Sequence, residues 1–273
     1  MPKVYVDKPK AIVFDFVGSA VKIGFIEKGL YAYIKKYGVK YLEERWNTKE
    51  CRQLIANLKH QVEKDKEKDQ NIPALEADSA ALKTQVNAVI SNLNWYLDKG
   101  RETNAHYKLK FAMWKDAYEN QRLETHIYSD AARNIKKWRK AGIKTYIFSN
   151  AWHELQKLFL RFTTFGNLAR NIDGYFDTEI GNPTDPETYK KIMEMIKVKK
   201  GSDMLFITKS PQEAFAARSA GIIAILIISH ATQQKQIEPS VLEAFQVIKT
   251  FDQLKFTDEE EEAEEPEREE DYN

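Results

Sequence analysis

The most constraining feature of this sequence is that its first apolar strand stands about a hundred residues apart from the others. Ala11-Ile12-Val13-Phe14-Asp15 is a β-branched and aromatic run, preceded by Pro9 and closing on an acid and then Gly18, so it reads as a buried strand ending in a loop. From about Ile23 to Arg122 the spacing is helical. Leu54, Leu58, Val62 and Ile90, Leu93, Leu97 recur at three or four residues, as one face of an amphipathic helix requires. Polar Glu63 to Asn71, closed by Pro73, reads as a loop between helices.

Beyond this stretch the rhythm changes to alternating helices and strands. Helices are expected over Asp130 to Ala141, stopped by Gly142, and over Trp152 to Arg161, Pro186 to Lys197 and Pro211 to Ala220. Strands are expected at Thr145 to Ser149, Gly174 to Asp177, Met204 to Ile207 and Ile222 to Ile228. Alternation of this kind builds βα units and a parallel sheet. One strand, a helical insertion and then the rest of the sheet make an α/β core of residues 1–22 and 126–257, interrupted by a helical cap over 23–125.

Composition excludes several classes of protein. The longest apolar run, Gly221 to Ile228, is strand length, and no stretch approaches the roughly 18 apolar residues of a membrane span. The N-terminus has no secretory pattern, and a single cysteine, Cys51, fits a reducing compartment, so the cytoplasm or the nucleus is expected and a disulfide framework is not. One cysteine and five histidines also argue against a structural zinc site. The overall charge of +1 hides a division: residues 258–273 hold eleven Asp/Glu against one Arg, leaving the body strongly basic. That acidic tail lacks large apolar side chains before Tyr272 and is expected to be disordered, serving solubility, contact with the basic body or a basic partner.

Ligands of open parallel sheets bind beyond the carboxyl ends of the strands. The residues there are Asp15, Ser149 with Asn150, and Thr208 with Lys209. An acid on the first strand, a hydroxyl on the second and a charge on a later one outline an aspartyl-phosphate phosphatase. In such an enzyme a carboxylate attacks phosphorus, a second carboxylate moves protons, a hydroxyl and a lysine hold the phosphate, and magnesium offsets the crowded charge.

The residues carry a resemblance. Ile12-Val13-Phe14-Asp15-Phe16-Val17-Gly18-Ser19 resembles the Asp-Ile-Glu-Gly-Thr-Thr signature of the enolase-phosphatases, members of the haloacid dehalogenase superfamily, with Phe25 at a family Phe. Trp138 to Gly142 followed by Tyr146 to Ser149 is similar to that family's helix and second strand. Asp173 to Thr178 with Ile180-Gly181, Tyr189 to Ile192, and Leu205 to Thr208 are similar to its later segments, and Arg101, Thr103, Ala105, Met113 and Trp114 match within the cap. The resemblance spans about residues 9 to 255. It implies a haloacid-dehalogenase-like Rossmannoid sheet with an inserted helical cap, and an enzyme of methionine salvage that enolises and dephosphorylates a diketo methylthiopentyl phosphate.

The departures fall on the chemistry that the resemblance implies. Asp15 stands at the nucleophile, but the acid/base carboxylate two residues on, whose carbonyl would also help hold magnesium, is Val17. The serine pair has become Ser149-Asn150, which keeps hydrogen-bonding capacity. The phosphate lysine falls at Pro183 and the magnesium aspartate at Lys209; in the cap, a lysine becomes Glu102 and a glycine Phe111. General acid/base catalysis is worth typically about 10²–10⁴-fold and metal stabilisation several kcal/mol, so most of a phosphatase rate should be gone. At about 4 Å and an effective dielectric of about 20, an ammonium beside a carboxylate gains roughly 4 kcal/mol before desolvation.

Lys209 is therefore expected to fill the magnesium space and pair with Asp15, so that no cofactor is bound. Two alternatives stay open: Lys209 replaces the metal's charge in a working enzyme, or it turns to solvent while Asp15 caps a loop. The expected function is binding without catalysis, of a protein or a small phosphate ligand, with no membrane and no nucleic-acid motif. The alternative is an active or weakly active phosphatase with Asp15 as nucleophile, which would need magnesium. His106, His126 and His153 are expected at the surface, the basic residues of the helix at Arg133 to Lys140 on a solvated face, and the five tryptophans in packing.

Overall fold

The computed structural model describes residues 3–22, 24–229 and 234–257. The acidic segment 258–273 lies outside the described residues. The chain divides into two compact units: residues up to Ile23 together with those from Thr125 onward, and Gly24–Glu124. Among the described residues, no helix is long and apolar enough to cross a membrane.

The first unit is a six-stranded parallel sheet. Its strands are β2 (Ala11–Phe14), β3 (Lys144–Phe148), β4 (Gly174–Phe176), β5 (Met204–Thr208), β6 (Ile223–Ile227) and β7 (Gln246–Ile248), in the order β4-β3-β2-β5-β6-β7. A separate ladder joins β1 (Val4–Val6) to β8 (Leu254–Phe256). Successive strand residues face opposite sides, and helices cover both, which is why β2 has no exposed face and consists of Ala, Ile, Val and Phe. On one side Val13 joins a core with Phe148, Tyr189, Ile192, Phe206 and Ala217. Helices α7 (Pro186–Met195) and α8 (Pro211–Ser219) supply three of these residues. On the other, Phe14, Trp138 of α5 (Ser129–Lys140) and Phe251 meet edge to face at 5.6–6.2 Å between ring centres. Each such aromatic pair adds about 0.5–1.5 kcal/mol to the area buried.

Of the basic residues on α5, Arg133 pairs with Asp252 and Arg139 with Asp173, so part of that face is neutralised within the unit. Among the described residues this unit also holds α6 (His153–Arg161) and α9 (Pro239–Ala244).

The second unit holds α1 (Ala32–Arg45), α2 (Lys49–Lys66), α3 (Leu82–Asp98) and α4 (Asn104–Glu119), entered through a π-helical turn at Ile26–Tyr31. Gly38 lets α1 approach α3 closely, since a Cβ there would stand 2.7 Å from Ile90 Cδ1. The loop expected from Glu63 is a correction: α2 continues to Lys66. Buried Val62 anchors that last turn, and Gln61 Nε2 reaches Asp65 Oδ1 one turn on at 2.9 Å. His106 is a second correction. It is wholly buried on α4, its Nδ1 at 2.6 Å from Thr103 Oγ1 and its Nε2 at 2.9 Å from Asn92 Oδ1, with its ring stacked on Tyr96. His126 is exposed, and His153 is partly covered.

Candidate functional site

The register of the sheet brings Asp15 and Lys209 together. Phe14 pairs with Ile207 across β2 and β5, so both chains leave the sheet side by side, and Asp15 N donates to Ile207 O at 2.9 Å. Between β5 and α8 there are only two residues. Ser210 accepts from Glu213 N as the α8 N-cap, Pro211 opens the helix, and Ser210 N donates to Thr208 Oγ1 at 3.0 Å. These bonds fix the backbone from which Lys209 projects.

After β2 the chain makes a tight turn. Ala20 N and Val21 N both donate to Phe16 O at 3.0 Å, and Gly18 N donates to Val21 O at 2.7 Å. Gly18 sits at φ +93°, where a side chain would be strained. This turn aims the Val17 carbonyl back toward the carboxylate.

Lys209 is turned inward. Its Nζ lies 2.7 Å from Asp15 Oδ2 and also donates to Val17 O. Asp15 is 7% exposed, and Ser19 Oγ donates to the same Oδ2 at 3.4 Å. Burial pushes the Asp15 carboxyl above its ordinary value, while the Lys209 ammonium, the Phe16 N–H and the Ser19 hydroxyl pull the other way. A second acid, Glu213 on α8, accepts from Thr208 Oγ1 at 2.7 Å. Burial first, and then the Asp15 charge, push Glu213 up to about 6, against the pull of Thr208 and Lys209.

The other sequence-predicted residues are engaged elsewhere. Ser149 follows β3, where its N–H reaches Phe176 O at 3.2 Å and its Oγ accepts from Ala151 N at 3.3 Å. Asn150 is exposed. Pro183 lies in the loop before α7 and offers only its carbonyl, which accepts from Tyr189 Oη at 2.8 Å. Among the described residues, neither Ser149 nor Pro183 hydrogen-bonds Asp15 or Lys209. In the helical unit, Glu102 pairs with the buried ammonium of Lys110.

Two residues near the pair do not stand at a strand end and so are not singled out by sequence position. Ser19 belongs to the signature segment and reaches Asp15. Glu213 carried a signal, because Ser210-Pro211-Gln212-Glu213 has the spacing of a capping box, although here the glutamate turns to Thr208. Asp177 follows β4 and accepts from His153 N at 2.9 Å, His153 Nδ1 at 3.0 Å and Glu179 N at 3.0 Å. Burial alone would raise its carboxyl, but those donors hold it below its ordinary range.

The donor set does not fit magnesium. The Asp15 carboxylate oxygen and the Val17 carbonyl both already accept from an ammonium, and among the described residues no group of three or more His, Cys, Asp or Glu could hold a metal ion. A dication about 4 Å from that ammonium would be repelled by roughly 8 kcal/mol at an effective dielectric of about 20, twice the value for two unit charges.

The parallel sheet with an acid beyond β2, its first strand in chain order, is the architecture of a known family of hydrolases. A family model described as haloacid dehalogenase-like hydrolase matches residues 9–221, and the chain belongs to that family. Within it, the enolase-phosphatase E1 of Xenopus tropicalis is 33% identical over 218 residues, 80% of this chain and 84% of that protein. The enolase-phosphatase E1 of Naegleria gruberi is 31% identical over 258 residues, 93% of this chain and 98% of that one. These similarities put the chain among the enolase-phosphatases. The crystal structure of the UTR4 protein of Saccharomyces cerevisiae shares the fold, with a TM-score of 0.70 at 21% identity, over 89% of this chain and 99% of that one.

Proposed function

We propose that this protein keeps the enolase-phosphatase fold but has given up metal-dependent turnover, and that it acts by binding a protein or a small phosphate ligand. The observation that carries this reading is the double engagement of Lys209, whose ammonium donates to both Asp15 Oδ2 and Val17 O. The first stands at the family's nucleophile, and the second is the carbonyl that the resemblance assigns to magnesium. A side chain bound to both at once supplies one positive charge where the chemistry needs two, and it occupies one of the two oxygens of the nucleophile. Val17 can neither give a proton to a leaving group nor take one from an attacking water, so both halves of the reaction lack their acid/base group.

The names of the relatives favour a second reading, an active or slow phosphatase and enolase on a diketo methylthiopentyl phosphate in methionine salvage. Asp15 would be its nucleophile and the Lys209 ammonium would stand in for part of the metal's charge. Ser19, Ser149 and the half-buried Glu213 are what such an enzyme would still draw upon.

A turnover assay on 4-nitrophenyl phosphate, with and without magnesium, separates the two. The proposal expects no release above that of the Asp15→Asn variant. Magnesium-dependent release that vanishes in Asp15→Asn would establish the second reading.

A further inference from the structure

The helical unit carries a cleft that the strand-end chemistry leaves unused. It lies beside α2 and encloses about 470 Å³, within the roughly 300–1,000 Å³ range of small-molecule sites. Arg52 and Lys59 are seven residues apart and so stand on one side of α2, about 10 Å from each other along its axis. Buried Ile55 forms the floor between them, and half-buried Trp46 forms a wall.

The charges in the cleft are unevenly satisfied. Among the described residues the partner of Arg52 is neutral, Asn47 Oδ1 at 2.9 Å, so no carboxylate faces that guanidinium. Lys59 pairs with Asp78, but the Asp78 side chain is 93% exposed whereas that of Lys59 is 22% exposed. The segment carrying Asp78 is pinned from behind by Gln85, whose Nε2 donates to Asp78 O at 3.2 Å and to Ala80 O at 2.8 Å. The cleft is thus anchored on both sides, cationic at the Arg52 end and neutralised at the other.

We propose that this cleft binds a small organic anion with a flat apolar body, its ring lying against Trp46 and Ile55 and its carboxylate or phosphate on the Arg52 guanidinium. The planar fork of arginine matches both oxyanions in two parallel bonds, and an indole offers a face for stacking. Asp78 at the far end disfavours a second anionic group there and accepts from an N–H or O–H instead. The inference is independent of whether the strand-end site turns over phosphate.

Isothermal calorimetry on the full-length protein tests it, with 2-naphthoate and adenosine 5′-monophosphate as probes and with acetate and inorganic phosphate as ring-free controls. At least one flat-ring probe should bind with a saturable site in the millimolar range or tighter, while neither control should give a heat that Arg52→Gln removes. Preference for naphthoate identifies a carboxylate ligand, and preference for the nucleotide a phosphate ester. Arg52→Gln, an exposed position where the bond to Asn47 can be kept, should weaken binding about tenfold or more, as should Trp46→Leu. Lys209→Met should leave it unchanged. Absence of saturation with both probes, binding that survives both cleft substitutions, or binding lost in Lys209→Met would overturn the proposal.

Discussion

Lys209 Nζ lies 2.7 Å from Asp15 Oδ2 across the seam between β2 and β5, two neighbouring strands separated by nearly two hundred residues of sequence. Asp15 is buried, and the lysine side chain is 30% exposed, so the pair is screened from water on one side only.

Breaking this pair from either side should cost stability. A charge left without its partner in a buried site costs about 3–5 kcal/mol, and partial exposure of Lys209 puts the expectation near the lower end. Asp15→Asn and Lys209→Met should each destabilise by about 3 kcal/mol in urea denaturation, and the double variant should lose much less than their sum. Additive effects below about 1 kcal/mol would place the ammonium in solvent.

Glu213 gives the fold a pH dependence of definite sign. Its carboxyl titrates near 6 in the folded chain, raised from an ordinary 4.5, so between those values the native state binds more protons than the unfolded one. Stability should therefore fall as pH rises from about 4.5 to about 6, by at most about 2 kcal/mol. Glu213→Gln keeps an acceptor for Thr208 and removes the charge. Chemical denaturation across that window should show a flatter profile and a more stable protein at pH 7. A variant that is less stable at pH 7, with the slope intact, would contradict this.

His106 acts in the opposite direction. Burial, and then the charge of Lys110, hold its imidazole down to about 4 from 6.5, so the unfolded chain binds the extra proton between those values. Stability contributed by the neutral ring should be present above about pH 6.5 and lost as pH falls toward 4, by up to about 3 kcal/mol. His106→Gln should flatten this acid limb at a cost of about 1–3 kcal/mol at neutral pH, because Asn92 and Thr103 lose a well-placed partner. An unchanged acid limb in denaturation between pH 4 and 6.5 would show that another group sets it.

The parts of the fold legible in the sequence are those with long-range consequences. β2 and β5 are apolar runs ending on polar residues, and parallel pairing alone brings such ends together, so an Asp15–Lys209 contact follows from strand placement. Of the three-residue strands, β4 is marked by Gly174 ahead of an aromatic pair, whereas β1, β7 and β8 have no such flanking signal and bury too few side chains to leave a pattern. His106 looked like a surface residue because its acceptor, Asn92, is fourteen positions earlier on another helix, which no local spacing reveals. Glu213 was hidden for a similar reason: its capping spacing was present, but the choice between the N-cap backbone and the Thr208 hydroxyl is made in three dimensions.

On the proposed function, the Lys209 ammonium takes the place a magnesium ion would need. Calorimetric titration of magnesium into the native protein and into Lys209→Asp, side by side, tests it most directly. The native protein should give no binding heat at millimolar magnesium, and Lys209→Asp should gain a magnesium-binding heat that Asp15→Asn removes again. Magnesium binding by the native protein that depends on Asp15 and is undiminished by the lysine would contradict the account.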